Sequence, residues 1–484
     1  MSLKKTLVLA LLLIGAAVYI FKIEIPQGEA KKTEKNIFRG VTKSQFEKIE
    51  VSGKQGSYIL VNTKPVAEPV SAQSSDPAAD ALAGWELGDL KGAELDRGSL
   101  NSLLSALVGF REEISIPKDE QESDLTIYGL KDPELLLKAW HSGQELAISF
   151  GKNNSYLSKR YASINGQAGI FLVSDALFTA ANKSRTEMRN HTPVGFADSE
   201  ISELLLNFDG QKLKFLAHSD GQWKIAEPFA ASASSTAVSN LLMQLRNLRA
   251  EDFIDPPGDR AAEYGLEKPQ LEIDLNFKDS TKRAPLHLGI GSASAPQGQQ
   301  AQFRWFMNLS GKPSIFKLSA DPLSALNRDA GFYREKKLFQ VISDQVQKVN
   351  CSAPALSLTK NGEHWEVNGK PGDDVFVKEA LQRFSNLEAE SFPNQEQDFG
   401  FNSPTLRCQF TLKSGAKPEL VRTLVVGKRL DDKQNMGRYF AAVDDLSEPF
   451  IISEQSLAGI TPREEALLKP INTPAPLLTP AAAP

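Results

Sequence analysis

Trp223-Lys-Ile-Ala-Glu-Pro228 opens a pattern that this chain repeats: the Trp recurs as Trp85 and Trp365, at spacings of 138 and 142 residues. Each Trp follows a turn-rich pair, Ala83-Gly84, Asp220-Gly221 or Asn361-Gly362, and begins a run of alternating apolar and polar residues. Alternation behind a turn is the signature of a half-buried hairpin strand. Repeats at a fixed period are the first thing to test in a chain of this length.

Further landmarks follow in the same order. Tyr128-Gly129-Leu130-Lys-Asp-Pro133 is echoed by Tyr264-Gly265-Leu266-Glu-Lys-Pro269 and by Phe399-Gly400-Phe401-Asn-Ser-Pro404. The spacing reads as a turn in which Gly takes a positive φ, the apolar residue plugs a core and Pro fixes the entry to the next strand. A third landmark is Ile148-Ser-Phe150-Gly151, Leu288-Gly-Ile290-Gly291 and Leu424-Val-Val426-Gly427, and a fourth is Arg160-Tyr161, Arg304-Trp305 and Arg438-Tyr439. Between the first two landmarks lies a helix-period segment: Ser99 to Phe110, Ser234 to Leu248 and Asp374 to Leu387. Its apolar stripe, for example Val238, Leu241, Leu242, Leu245 and Leu248, suits packing on a sheet.

These signals predict an α+β protein: three tandem copies of a β-β-α-β-β-β(-β)-α module with mainly antiparallel sheets, behind an N-terminal transmembrane helix. Each module ends in a short helix such as Ser174 to Asn182 or Asp321 to Asn327. The expected divisions are 1–22 for the cytoplasmic tip and anchor, 23–195 for module 1, 196–337 for module 2, 338–460 for module 3 and 461–484 for a tail. Joints fall near Thr192-Pro193 and Lys336-Leu338. Module 1 carries a Pro/Ala/Ser-rich insertion over 65–84, and the tail holds six Pro and five Ala. A chain of 484 residues exceeds what one core serves, which agrees with three domains.

The apolar fraction of 41% and charged fraction of 24% are those of folded proteins. With 55 basic against 60 acidic residues there is no basic excess, so nucleic acid is not an expected partner. At the N-terminus, Lys4 and Lys5 precede the uncharged run Thr6 to Phe21, closed by Lys22. As a helix this run spans about 24 Å, a little short of the roughly 30 Å hydrocarbon core, so the flanking lysines must snorkel. The competing reading is a cleaved signal peptide ending near Gly15-Ala16-Ala17. The anchor is favoured because the apolar run continues into Val18-Tyr19-Ile20-Phe21. The lysines then hold the N-terminus in the cytoplasm and place the bulk in the bacterial periplasm. Cys351 and Cys408 read as two small buried hydrophobes or, in an oxidising compartment, as a disulfide.

No reaction centre is legible. His141, His191, His218, His287 and His364 are scattered, with no His-Glu-x-x-His segment, and His287 and His364 fall in predicted strands. Gly289 to Gly298 lacks a Gly-Lys-Ser/Thr ending and reads as a hairpin loop. Ser232 to Ser235 lack a nucleophile elbow. Asp373-Asp374 and Asp444-Asp445 lack the spaced oxygen series of a calcium loop, and a helix N-terminus explains the first pair. The Arg-aromatic pairs read either as strands packing an aromatic inward with Arg at the rim, or as a cationic, aromatic interaction surface. No catalytic residue, cofactor or metal site is expected.

Residues 196 to 340, with Trp223-Lys-Ile-Ala-Glu-Pro228, Tyr-Gly-Leu-Glu-Lys-Pro and Leu-Gly-Ile-Gly, resemble the DUF4340 family of anchored bacterial proteins. The flanking copies resemble it less: the first lacks the Pro after its Trp and the third has Phe-Gly-Phe. The resemblance implies a role beside a gliding-motility-type ABC exporter, and it supplies no catalytic residues. The expected function is therefore a non-enzymatic periplasmic scaffold or adaptor in contact with ABC transporter subunits. The alternative is a binder of envelope glycan or peptidoglycan.

Overall fold

The computed structural model describes residues 35–65, 81–218, 220–256, 260–281, 283–293, 304–339, 341–393, 398–413, 420–430, 437–444 and 448–468. The expected anchor, Thr6 to Phe21, lies outside them. Among the described residues no helix is long and apolar enough to cross a membrane.

The described chain is α+β, with three antiparallel sheets and few helices. The first comprises β1 (Phe46–Gly53), β2 (Gly56–Asn62) and β3 (Trp85–Leu87), then helix α1 (Arg97–Val108). There follow β4 (Ile114–Ile116), β5 (Leu135–His141), β6 (Gln144–Asn154), β7 (Lys159–Ile164), β8 (Ile170–Val173) and helix α2 (Ala176–Ala181). The second has β9 (Ile201–Phe208), β10 (Gln211–Ala217), β11 (Trp223–Glu227), β12 (Ala231–Ala233) and helix α3 (Ser235–Arg246). It continues through β13 (Ala250–Ile254), β14 (Leu271–Phe277), β15 (Leu286–Ala293), β16 (Arg304–Leu309), β17 (Ile315–Leu318) and helices α4 (Leu323–Leu326) and α5 (Ala330–Tyr333). The third has β18 (Val346–Ala353), β19 (Ala355–Asn361), β20 (His364–Val367), β21 (Lys370–Pro371) and helix α6 (Asp374–Ser385). It closes with β22 (Leu406–Leu412), β23 (Leu420–Arg429), β24 (Arg438–Val443), β25 (Phe450–Ser453) and helices α7 (Glu454–Gly459) and α8 (Glu464–Leu467).

The strand orders are β3-β2-β1-β5-β6-β7-β8-β4, β12-β11-β10-β9-β14-β15-β16-β17-β13 and β21-β20-β19-β18-β22-β23-β24-β25. In each, the opening strand pairs with the one entered through the aromatic-Gly turn: β1 with β5, β9 with β14, β18 with β22. The sequence predicted two strands before each helix. The first sheet has three and the others four, because each opening strand is doubled into a hairpin and because β12 and β21 are too short to show alternation.

The apolar stripes explain the packing. Leu100, Leu103, Leu104 and Leu107 of α1 are buried against inward residues such as Ile49, Leu137 and Phe150. Val377, Ala380, Leu381 and Phe384 of α6 are buried in the third core. Each fully buried Leu contributes about 2 kcal/mol of hydrophobic free energy. Asp96 caps α1, its side chain accepting from Ser99 N–H at 2.7 Å, and Asp373 caps α6 through Val375 and Phe376 N–H. Side-chain caps satisfy donors that an α-helix leaves orphaned.

The insertion begins and ends at one place, since Thr63 N–H donates to Gly84 O at 2.8 Å; residues 66–80 lie outside the description. The tail begins later than predicted. Thr461 to Leu468 are folded, with Leu467 buried and Leu468 bridged to Gly372. By its backbone contacts the chain divides at Gln211/Lys212, Asn240/Leu241 and Asn327/Arg328 into two compact units. One holds the first sheet with β9 and β13–β17; the other holds β10–β12 and the third sheet.

Candidate functional site

The chain leaving the first sheet is strapped to the residues ahead of α1. Arg189 bridges Leu95, Asp96 N–H donates to Met188 O at 2.9 Å, and Asn190 N–H donates to Glu94 O at 2.9 Å. The strap buries Arg189, which is 3% exposed. Its guanidinium donates to Asp255 Oδ2 at 2.6 Å and to Ser314 Oγ at 2.7 Å, and lies 3.7 Å over the ring of Phe253. Arg185 adds a second donor to Asp255 Oδ2 at 2.7 Å and reaches Asp89 at 3.3 Å. Ser314 Oγ donates to the other carboxylate oxygen. Both ring nitrogens of His191 face carbonyl oxygens, Ala250 O at 2.7 Å and Thr186 O at 3.1 Å.

Burial opposes the charge on Asp255, but hydrogen bonds from Arg185, Ser314 and Arg189 outweigh it and hold the carboxyl below its usual range. Burial pushes the Arg189 guanidinium down, with Asp255 opposing that push. Arg185 is pushed down by burial, yet its pairing with Asp255 and Asp89 leaves it raised overall. A half-buried carboxylate with three donors is a satisfied ion cluster. It offers an electrostatic latch; Ser314 has no histidine within this hydrogen-bonded set to activate it as a nucleophile.

A related latch occurs in the other unit. Arg334 bridges Ala233, Ser234 N–H donates to Tyr333 O at 2.8 Å, and Arg334 lies 3.6 Å over Phe392. Two residues after each Arg the carbonyl accepts from an alanine: Ala250 N–H to His191 O and Ala389 N–H to Lys336 O, both 2.8 Å. In the third sheet the strap is kept by Leu468 on Gly372, with Asp373 N–H donating to Leu467 O at 2.8 Å. The sequence reading passed over Arg189 and Arg334. Their matching place at the end of each pattern was the signal available.

Trp85, Trp223 and Trp365 are buried in β3, β11 and β20. Gly129, Gly265 and Gly400 all have positive φ, and Pro133, Pro269 and Pro404 each stand two residues before a strand. Cys351 and Cys408 face each other across β18 and β22 and form a disulfide. His287 pairs with Asp274 and His364 with Asp374, both on strands as expected. Gly289 to Ala293 belong to β15 and are no loop; residues 294–303 lie outside the description. Among the described residues no group of three His, Cys, Asp or Glu could hold a metal ion.

The fourth landmark is out of register by one residue. Phe150, Ile290 and Val426 pair with Ala162, Met307 and Ala441, so Arg160 corresponds to Trp305 and Tyr439, and Tyr161 to Phe306 and Phe440. One residue along a strand is a change of face. Arg160 is buried, bonded to Glu134 at 2.9 Å and Asp175 at 2.5 Å and 3.4 Å over Phe178. Tyr161 and Phe440 instead meet Tyr128 and Phe399 edge-to-face, and Phe306 meets Tyr264 at a tilt. Arg304 is exposed and Arg438 half-buried, so the three arginines do not share one surface.

The sheets and latches define a multi-sheet α+β protein. Its family is the one suspected from the Trp and aromatic-Gly landmarks: the chain belongs to DUF4340, a domain of unknown function, which matches residues 85–269 and again 223–398. The match is thus wider than residues 196–340, and residues 223–269 belong to both matched ranges. Nothing matches among curated proteins or among solved structures.

Proposed function

We propose that this protein is a non-enzymatic periplasmic adaptor, anchored in the bacterial inner membrane by Thr6 to Phe21 and accessory to an ABC-type exporter. Its body is three copies of one module. The two family matches begin at Trp85 and Trp223, one period apart, and the three strand orders run in parallel. The observation that carries the adaptor reading is the latch at Arg189. The most deeply buried arginine of the described chain is spent on holding successive segments together. A stiff link between segments is what a spacer requires, and the oxidised Cys351–Cys408 pair supports a compartment outside the cytoplasm.

The test is affinity purification of the tagged, detergent-solubilised full chain with quantification of transporter subunits. Stoichiometric retention supports the adaptor. Their absence, together with saturable binding of peptidoglycan fragments, replaces it with the ligand-binding reading. An alkaline phosphatase fusion at the C-terminus checks topology independently: an inactive fusion overturns export.

A further inference from the structure

The outer face of the first sheet carries a second, smaller core. Tyr128, Leu130 and Ile170 are buried there with Ile116 and Tyr161 packed against them, beneath the segment 117–130. Unlike the main core, it has an apolar fringe left in solvent: Ile114 at 41%, Leu125 at 44%, Ile127 at 53%, Tyr156 at 97% and Leu157 at 48% exposure. Contacts tie the fringe into one surface. Ile114 pairs with Leu172, and Leu172 with Tyr161, so all three share a face. Tyr161 packs edge-to-face with Tyr128, next to Ile127, and its hydroxyl accepts from Asn154 Nδ2 at 2.8 Å.

Asn154 also fixes the hairpin tip, its Oδ1 accepting from Tyr156 and Leu157 N–H at 3.1 and 3.2 Å. Tyr156 and Leu157 therefore stand on a hydrogen-bonded turn. Lys152 ties the segment to the same strand, donating to Thr126 O at 3.1 Å between Leu125 and Ile127. The corresponding small core of the second sheet, Leu266, Phe306 and Ile315, is bordered by half-buried Ile254, Ala261, Tyr264 and Ala293 and has no such exposed fringe among the described residues.

Charge says what fits. Over residues 117–127 the exposed groups are Asp119, Glu120, Glu122, Asp124 and Lys118; exposed Lys152 acts on Asp124, which leaves Asp119, Glu120 and Glu122 against Lys118. Lys159 nearby is already paired with Glu113. An apolar centre with an acidic rim disfavours an anionic lipid surface and favours a protein segment whose apolar residues are flanked by Lys or Arg. We infer that the outer face of the first sheet, centred on Tyr156, Leu157 and Ile127, docks a basic, apolar segment of a protein partner. This deepens the adaptor reading and rests on it for the existence of a partner.

The test places a photo-crosslinking phenylalanine analogue at Tyr156, at Ile127 and, as control, at exposed Val375 in the full-length membrane-anchored chain, with adducts sequenced by mass spectrometry. The expected result is adducts from 156 and 127, absent from 375, whose crosslinked peptide carries Lys or Arg beside apolar residues. Combined Asp119→Lys, Glu120→Lys and Glu122→Lys should lower adduct yield at least about fivefold, since like charges now face each other. These side chains are exposed, and an unchanged melting temperature verifies the fold. Lipid adducts, adducts on an acidic segment, equal yield from 375, or no adduct overturns the inference. An adduct of the expected chemistry on a protein other than a transporter subunit upholds the surface while sinking the exporter assignment.

Discussion

A Cβ on Gly151 would stand 2.1 Å from the carbonyl oxygen of Tyr128, and that oxygen accepts from Lys152 N–H at 2.8 Å. The aromatic-Gly turn thus rests directly on a strand glycine. The same contact recurs between Gly291 and Gly265 O at 2.1 Å and between Gly427 and Phe399 O at 2.0 Å. Two landmarks far apart in sequence are the halves of one lock, which seats the turn against β6, β15 or β23.

Replacing a lock glycine should therefore be costly. Gly151→Ala forces backbone apart, and about 3 kcal/mol of destabilisation is expected. Gly143→Ala is a control: its φ is +72 but nothing stands within 4 Å, so only the backbone strain of about 1 kcal/mol should appear. Urea unfolding of the two variants measures the difference; equal losses would show that close approach is not the constraint.

Arg189→Ala should cost about 2–3 kcal/mol, because half-buried Asp255 loses one charged donor while keeping Arg185 and Ser314. The double variant Arg189→Met with Asp255→Leu should recover part of the loss, since it removes the buried guanidinium together with its carboxylate and leaves Arg185 paired with Asp89. A double-mutant cycle by thermal denaturation reads the coupling, and additive losses would refute the latch.

Asp255 also sets an acid limit. Its folded pKa lies below the unfolded value of about 3.9, so its contribution is complete above that range and disappears as pH falls through the folded value. Asp255→Asn should flatten this part of the stability profile as pH falls below about 5. Denaturant midpoints across that range are the measurement.

Cys351 and Cys408 close a loop of sequence separation 57, for which chain entropy gives about 4 kcal/mol. Reduction should lower the stability of the third sheet by up to this amount. The register places Val51 opposite Leu137 and Leu206 opposite Ile273 at the corresponding central positions. Cys351→Val with Cys408→Leu should accordingly be milder than the double alanine variant, as read by melting temperature without reductant.

Much of the fold could be read directly. The Trp strands, the apolar stripes of α1 and α6 and the positive-φ glycines fell where expected, because alternation, helical period and turn chemistry are local signals. The pair Arg160-Tyr161 misled for a related reason. Residue type alone aligned it with Arg304-Trp305, whereas the pairing of β6 with β7 moves it by one position and buries Arg160. Arg189, Asp255 and Ser314 carried no local signal, since each is an ordinary polar residue until the strap brings them together.

By itself the sequence determined the α+β class, the period of the pattern, the family and the apolar run at the N-terminus, all of which follow from order and spacing along the chain. Only the tertiary structure decided that Gly151 supports Tyr128, that Cys351 bonds Cys408, and that Arg189 is buried on Asp255. Those relationships join residues tens of positions apart. Their energies depend on strand register and exclusion of water, which no local window of sequence contains.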